Sequence, residues 1–269
     1  MKKIFTYYII LGFVTLSLSG CIDESVATSY ATSNQIGGSE TALESLANST
    51  AAFMYSYSYF GTLSSQEFGY PAMMIIRDAL TDCPYVTTNY NHFNTPWGSL
   101  VDFSSGRSGQ PWRYYYRMIL NSNNTIIAVG DPEEATERTQ HFYGNALVYR
   151  AMSYMDLMRM YEYKKTGVPL LDNEAESRDI YGLTAVIIDE HFDNDNAENN
   201  PRVPFYHMYR FIMNDLNKAE LYLDGYSRNS KIRADVSVVH AYKARLWLEI
   251  ATRFQKYPND LQLQLDCES

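Results

Sequence analysis

Between residues 205 and 223, Phe205, Tyr209, Ile212, Leu216, Ala219 and Leu223 recur at alternating spacings of four and three. That is the period of an α-helix, so all six side chains line one face. An apolar stripe of that length must be buried against a partner with a stripe of its own. The chain supplies several partners. Leu43, Leu46, Phe53 and Tyr57 share a face in a helix that starts at the capping pattern Thr41-Ala42-Leu43-Glu44. A weaker helix is expected over about 66–80, with Pro71 in its first turns. A third covers about 112–129, with Trp112, Tyr116, Ile119 and Ile126 on one stripe and Gly130 at its end.

Asp131-Pro132-Glu133-Glu134 offers an N-cap, a proline at the first helical position and acids in the first turn. The spacing predicts a fourth helix from there to about Lys165, with Leu147, Ala151, Met155 and Met158 on its inner face and a stop at Gly167 and Pro169. The fifth helix spans about 203–224 and is closed by Gly225. A sixth follows Asp235, where Ala241, Ala244, Leu248 and Ala251 form a stripe of mostly small side chains suited to close helix contact. No strand alternation of useful length appears. The fold class expected is all-α: stacked, tetratricopeptide-like helix pairs in an α-solenoid-like body with long irregular loops, three paired with four and five with six. The strict tetratricopeptide signature is absent.

Two stretches break the helical period. Residues 81–111 hold three prolines, three glycines and many Thr, Asn and Ser. Long irregular segments of this kind in a compact domain tend to be functional or disordered. Residues 170–202 are acidic and are expected to be irregular throughout.

The first 20 residues read as an export leader. Lys2 and Lys3 are followed by an apolar run from Ile4 to Leu16, too short for a mature transmembrane helix. Leu18-Ser19-Gly20 then leads into Cys21, the site expected to be lipidated after cleavage. Residues 21–39 are rich in Ser, Thr, Ala and Gly and are expected to tether a domain spanning 40–269 to the membrane. Asp23 and Glu24 put acid directly behind the anchor. Cys83 and Cys267 lie far apart, and a disulfide between them is open outside the cytoplasm.

The formal net charge is −9, and no run of Lys or Arg stands out. Nucleic-acid binding is therefore disfavoured, because phosphate contact needs a basic face. The 24 tyrosines are expected mainly to pack helices together, with their hydroxyls at a wet rim.

Three ordered segments resemble the SusD/RagB family of surface glycan-binding lipoproteins. They are Tyr149-Arg150-Ala151-Met152-Ser153-Tyr154-Met155-Asp156-Leu157 with Gly167-Val168-Pro169-Leu170; Pro201-Arg202-Val203-Pro204 leading to Asp215-Leu216-Asn217-Lys218-Ala219; and Val239-His240-Ala241-Tyr242-Lys243-Ala244-Arg245-Leu246-Trp247-Leu248. The lipobox before Cys21 and Trp112-Arg113-Tyr114-Tyr115-Tyr116 fit the same pattern. The resemblance implies a helical, non-enzymatic protein on the outer face of the outer membrane. Such a protein caps a TonB-dependent transporter and delivers it a nutrient, often an oligosaccharide. Members usually carry a further irregular C-terminal half, so this chain is expected to be an N-terminal portion or a truncated product with one helical face uncovered.

Sugars are held by aromatic rings stacking on C–H faces and by amides and carboxylates paired to hydroxyls. The best local supply is the stretch 78–112, which holds Asp78, Asp82, Tyr85, Tyr90, Asn94, Trp97 and Trp112. The resemblance also places part of the ligand surface there. Asp82, Tyr90, Asn94 and Trp97 are the expected binding residues, Trp97 first, while Trp112 is read as a packing residue. No metal or cofactor is expected: the five histidines show no metal-ligand spacing. Asp193 and Asp195 as paired acids are one pattern of glycoside hydrolysis, but in the Asn/Asp-rich run 193–200 they read better as a solvated loop, with a calcium site as the minor alternative. The two competing readings are a lipid-anchored scaffold that binds only protein and, with less support, a secreted glycosidase.

Overall fold

In the computed structural model every member of the 205–223 stripe is buried, with Ile212, Leu216, Ala219 and Leu223 sealed completely. The structure describes residues 36–56, 68–79, 109–192 and 194–256. Among these residues it is all-α, with seven helices: α1 Glu40–Ser56, α2 Gly69–Ala79, α3 Gln110–Val129, α4 Glu137–Tyr161, α5 Pro169–Ser177, α6 Phe205–Tyr222 and α7 Val236–Lys256. The described β structure is one isolated antiparallel bridge, Leu183 to Pro204.

The central helix is α4, buried over most of its circumference. It runs antiparallel to α3, because Trp112 meets Tyr161 at one end and Asn123 meets Arg150 further along. It runs antiparallel to α6 on another side, where Tyr154 packs on Phe211 and Tyr143 on Tyr222. Gly144 makes that second contact close: a Cβ there would lie 2.7 Å from Leu223 Cγ. Helix α7 pairs with α6 through Glu220, His240 and Lys243. The three–four and five–six pairs expected from sequence are therefore present, stacked through α4 and α6.

Four expectations need correction. Helix α4 starts later than Asp131, at an N-cap of Thr136 whose hydroxyl accepts from Thr139 N at 3.3 Å. Asp131 instead caps a turn, accepting from Glu133 N at 2.9 Å, a local bond that competes with helix. Helix α4 also stops at Tyr161 rather than near Lys165. Tyr163 leaves the helix because it exchanges backbone bonds with Leu183 and Gly182, at 3.2 and 3.0 Å.

Third, the 170–202 region is not irregular throughout. Pro169 opens α5 at its first turn rather than closing α4. The Asp172 carboxylate reaches back to the amides of Thr166 and Gly167 at 2.9 and 3.0 Å, as a first-turn acid can. Asn194–Asn199 forms a short 3-10 turn in which Asp195 is exposed.

Fourth, the small-residue stripe of α7 faces outward: Ala241, Ala244, Leu248 and Ala251 are exposed, and Trp247 beside them is half-exposed. The inward face is Val239, Leu246 and Ile250. Burying those larger side chains removes more apolar area from water than burying alanines does. No helix among the described residues is long and apolar enough to cross a membrane.

Candidate functional site

Asp82, Tyr85, Tyr90, Asn94 and Trp97 lie outside the described residues, as do Cys21, Cys83 and Cys267. The structure does describe the frame at both ends of that candidate segment: α2, which leads into it, and α3, which leads out. Both are fastened to one carboxylate. Asp156 of α4 is fully buried. Its Oδ1 accepts from Arg77 of α2 at 3.0 Å and from Arg245 of α7 at 2.7 Å. Its Oδ2 accepts from Tyr70 of α2 and Tyr115 of α3, both at 3.0 Å. An acid near a helix C-terminus opposes the helix dipole, and here two guanidinium groups offset it. Burial pushes the Tyr115 and Tyr70 phenols up, reinforced by the charge of Asp156, so both remain proton donors.

A second interior brace joins α3, α4 and α6. Arg150 of α4 pairs with Asp215 of α6 through two bonds, Nε to Oδ2 and Nη2 to Oδ1, both 2.8 Å. Its Nη1 donates to Asn123 Oδ1 at 2.9 Å and also to Glu190. Phe211 stacks under the guanidinium, 5.1 Å from ring centroid to Cζ. Burial resists the charge on Glu190, yet the adjacent Arg150 holds its carboxyl below the usual range. Glu190 therefore adds stability above the ordinary carboxylate range that is lost as pH falls through its lowered folded value.

Tyrosine hydroxyls do more than sit at a wet rim. The extended segment 184–190 has no neighbouring strand among the described residues along its inner edge, and two phenols take that place. Tyr116 OH donates to Val186 O at 2.6 Å and accepts from Val186 N at 2.9 Å. Tyr154 OH does the same at Ile188, 2.9 Å to O and 2.7 Å from N. Each hydroxyl pairs one part-buried amide and one part-buried carbonyl, as a ladder would. Tyr154→Phe is expected to lower the unfolding free energy by about 1–2 kcal/mol by orphaning the Ile188 amide, since Ile188 O keeps its bond from Asn123 Nδ2 at 3.0 Å; a loss below about 0.5 kcal/mol by urea denaturation would mean water replaces the hydroxyl.

Trp112 is half-buried and packs as sequence suggested. Tyr116 and Tyr161 lie 4.8 and 4.9 Å from it between ring centroids, and the Arg202 guanidinium 5.7 Å. Its amide donates to Tyr161 OH at 2.9 Å. Arg202 is fixed by the carbonyls of Thr184 and Tyr161 at 2.7 and 2.6 Å. Among the described residues no group of His, Cys, Asp or Glu is placed to hold a metal ion.

Sequence reasoning missed Asp156, Arg150 and Asp215 as interior braces. The signal was available: each interrupts an inward-facing apolar stripe, beside Met155, Ala151 and Leu216, where an unpaired charge would not be tolerated.

These features define a class: helix pairs of tetratricopeptide type stacked on one central helix and cross-braced by buried ion pairs. A family model of SusD-like proteins, described as "Starch-binding associating with outer membrane", matches residues 73–248. The chain belongs to that SusD-like family. Among solved structures it resembles a SusD-like carbohydrate-binding protein from Bacteroides vulgatus at 22% identity and TM-score 0.58, covering 80% of this chain and 42% of the other. A SusD-like protein from Bacteroides fragilis matches at 18% identity and TM-score 0.55, covering 87% and 38%. A SusD-like carbohydrate-binding protein from the same species matches at 14% and 0.56, covering 82% and 39%. At these identities the likeness is one of fold, and the chain spans about four-tenths of the length of these relatives. No curated protein matches the chain.

Proposed function

We propose that this protein is a surface lipoprotein that binds an oligosaccharide, without turning it over, and passes it to a TonB-dependent outer-membrane transporter. Cys21 carries the lipid anchor. Asp82, Tyr90, Asn94 and Trp97 contribute to the sugar surface, with Trp97 as the stacking platform. The observation that carries the reading is the family match over residues 73–248, whose description joins starch binding to the outer membrane. The titles of two of the related structures add carbohydrate binding in those proteins. Two further observations agree with it. The leader ends in Leu18-Ser19-Gly20-Cys21. Helices α2 and α3, which bracket the proposed sugar-binding segment, are locked to a common buried carboxylate, and rigid support is what a binding surface on a long loop requires.

Calorimetry of the exported lipoprotein against a panel of neutral and charged glycans tests this. Saturable binding without product release is expected, and Trp97→Ala is expected to weaken it by about tenfold or more, the worth of one lost sugar-stacking ring at about 1–2 kcal/mol. Silence across the panel, or release of shortened sugar, would sink the reading.

One observation favours a second reading, a scaffold that binds only protein: the uncovered α7 face, where Leu248 is 68% and Trp247 48% exposed. Co-purification with a barrel protein in cells, together with silence on the glycan panel, would select it.

A further inference from the structure

Away from the 78–112 stretch, a cleft of about 150 Å³ opens between the C-terminal end of α1, the middle of α4, the 228–234 segment and α7. Half of its lining is aliphatic or Met, including Val148, Met152 and Val238; the rest is aromatic, from Tyr55, Tyr149 and Tyr242 on the helices, and cationic, from Arg228, Lys231 and Arg233 on the 228–234 segment. Among the described residues no carboxylate lines it, on a chain with 31 acids and a net charge of −9.

Two of the three cations are neutralised by acids that do not line the cleft. Arg228 Nε lies 3.0 Å from Asp235 Oδ2, and Arg233 Nη2 lies 2.6 Å from Glu44 Oε1. Lys231 is exposed and has no ion-pair partner among the described residues. Among the aromatic residues Tyr55 is 52% exposed. Tyr149 is held in place by its hydroxyl, which donates to Ile232 O. Tyr242 is half-buried, and its hydroxyl makes no hydrogen bond among the described residues. Lys231, Tyr242 and Tyr55 thus line one small space.

At about 150 Å³, and lined by the exposed Tyr55 and Lys231, the cleft can seat part of one sugar ring but not a chain of them. An aromatic ring suits the C–H face of a pyranose, and an unpaired ammonium suits an anion. We propose that this cleft takes the acidic ring of an oligosaccharide, a uronate whose carboxylate pairs with Lys231 while its ring lies against Tyr55 and Tyr242. The proposal rests on the glycan-binding reading and narrows its ligand class to acidic glycans, held at a second place besides the 78–112 surface.

The test is calorimetry with α-1,4-linked digalacturonate and with its neutral counterpart, α-1,4-linked digalactose. The proteins are wild type, Lys231→Met, Tyr242→Phe and Trp97→Ala, each checked for an unchanged melting curve. Wild type is expected to favour the acidic dimer by about tenfold, the worth of one partly exposed charge pair plus its hydrogen bond. Lys231→Met is expected to abolish that preference, bringing the affinity for the acidic dimer down to that for digalactose. Tyr242→Phe is expected to weaken the acidic dimer by about threefold, the smaller loss of one neutral hydrogen bond. Trp97→Ala acts on the other surface and leaves the acid-over-neutral ratio intact. Equal affinity of wild type for the two dimers, a preference that survives Lys231→Met, or failure of both dimers to bind would each overturn the cleft. The broad glycan panel decides the wider reading separately.

Discussion

Replacing Asp156 by alanine is expected to lower the unfolding free energy by about 3 kcal/mol, the lower end of the cost of breaking a buried ion pair from one side. The urea midpoint reports it. The carboxylate collects four bonds from three other helices, two from guanidinium groups and two from phenols. Removing it leaves the four donors facing a void. The damage is uneven. Arg77 and Arg245 keep 24% and 28% of their side-chain surface open to water, so both can rehydrate in part. Tyr115 is sealed and cannot. This is why the lower end of the range is expected. Asp156→Asn keeps the shape, still accepts through its amide oxygen and is expected to fall between wild type and alanine. If alanine costs less than about 1 kcal/mol, the carboxylate is not the hub that joins α2 to α3, and buried water or rearranged arginines have taken its place.

Much of the helical frame was legible in the sequence because burial writes a period. The 205–223 stripe, the Leu147, Ala151, Met155 and Met158 face, and Gly130 as a helix end all follow from positions that water excludes. What the period could not decide was a choice between two faces of one helix. On α7 the alanines at 241, 244 and 251 and the larger residues at 239, 246 and 250 both recur at helical spacing, and only the packing of α6 and α4 against α7 selects the second set. Helix ends were misread for a related reason. Asp131-Pro132 and Gly167-Pro169 are ambiguous punctuation. The bonds that resolve them, from Glu133 N to Asp131 and from Thr166 N to Asp172, are side-chain bonds to the backbone that compete with the helix ladder. The tyrosine hydroxyls that stand in for a strand were hidden as well, since their partners at Val186 and Ile188 lie 70 and 34 residues away in sequence. The candidate sugar residues rest on composition and resemblance alone, and the structure contributes the frame around them.

Arg150→Met is expected to be more damaging than the loss of Asp156, at about 4–5 kcal/mol, because the charge it abandons cannot reach water. Asp215 is fully buried and Arg150 is 2% exposed. With the guanidinium gone, Asp215 keeps no partner of opposite charge inside the helix stack, and burial then drives its carboxyl to take up a proton. That fixes the sign of the pH dependence. A carboxyl whose folded pKa is raised above its unfolded value favours the folded state at low pH and loses that contribution as pH rises. The deficit of Arg150→Met relative to wild type is therefore expected to shrink between about pH 8 and pH 5, a range that reaches toward the ordinary carboxylate value. Adding Asp215→Leu removes the stranded charge and fills its space with methyl groups. The double variant is expected to recover to within about 1–2 kcal/mol of wild type, as apolar replacements of buried ion pairs do. The remaining gap comes from Asn123 and Glu190, which lose the Nη1 donor. Should the double variant melt with the single one at every pH, the cost of Arg150→Met would lie in lost packing on Phe211 rather than in an orphaned carboxylate, and the brace between α4 and α6 would be steric rather than ionic.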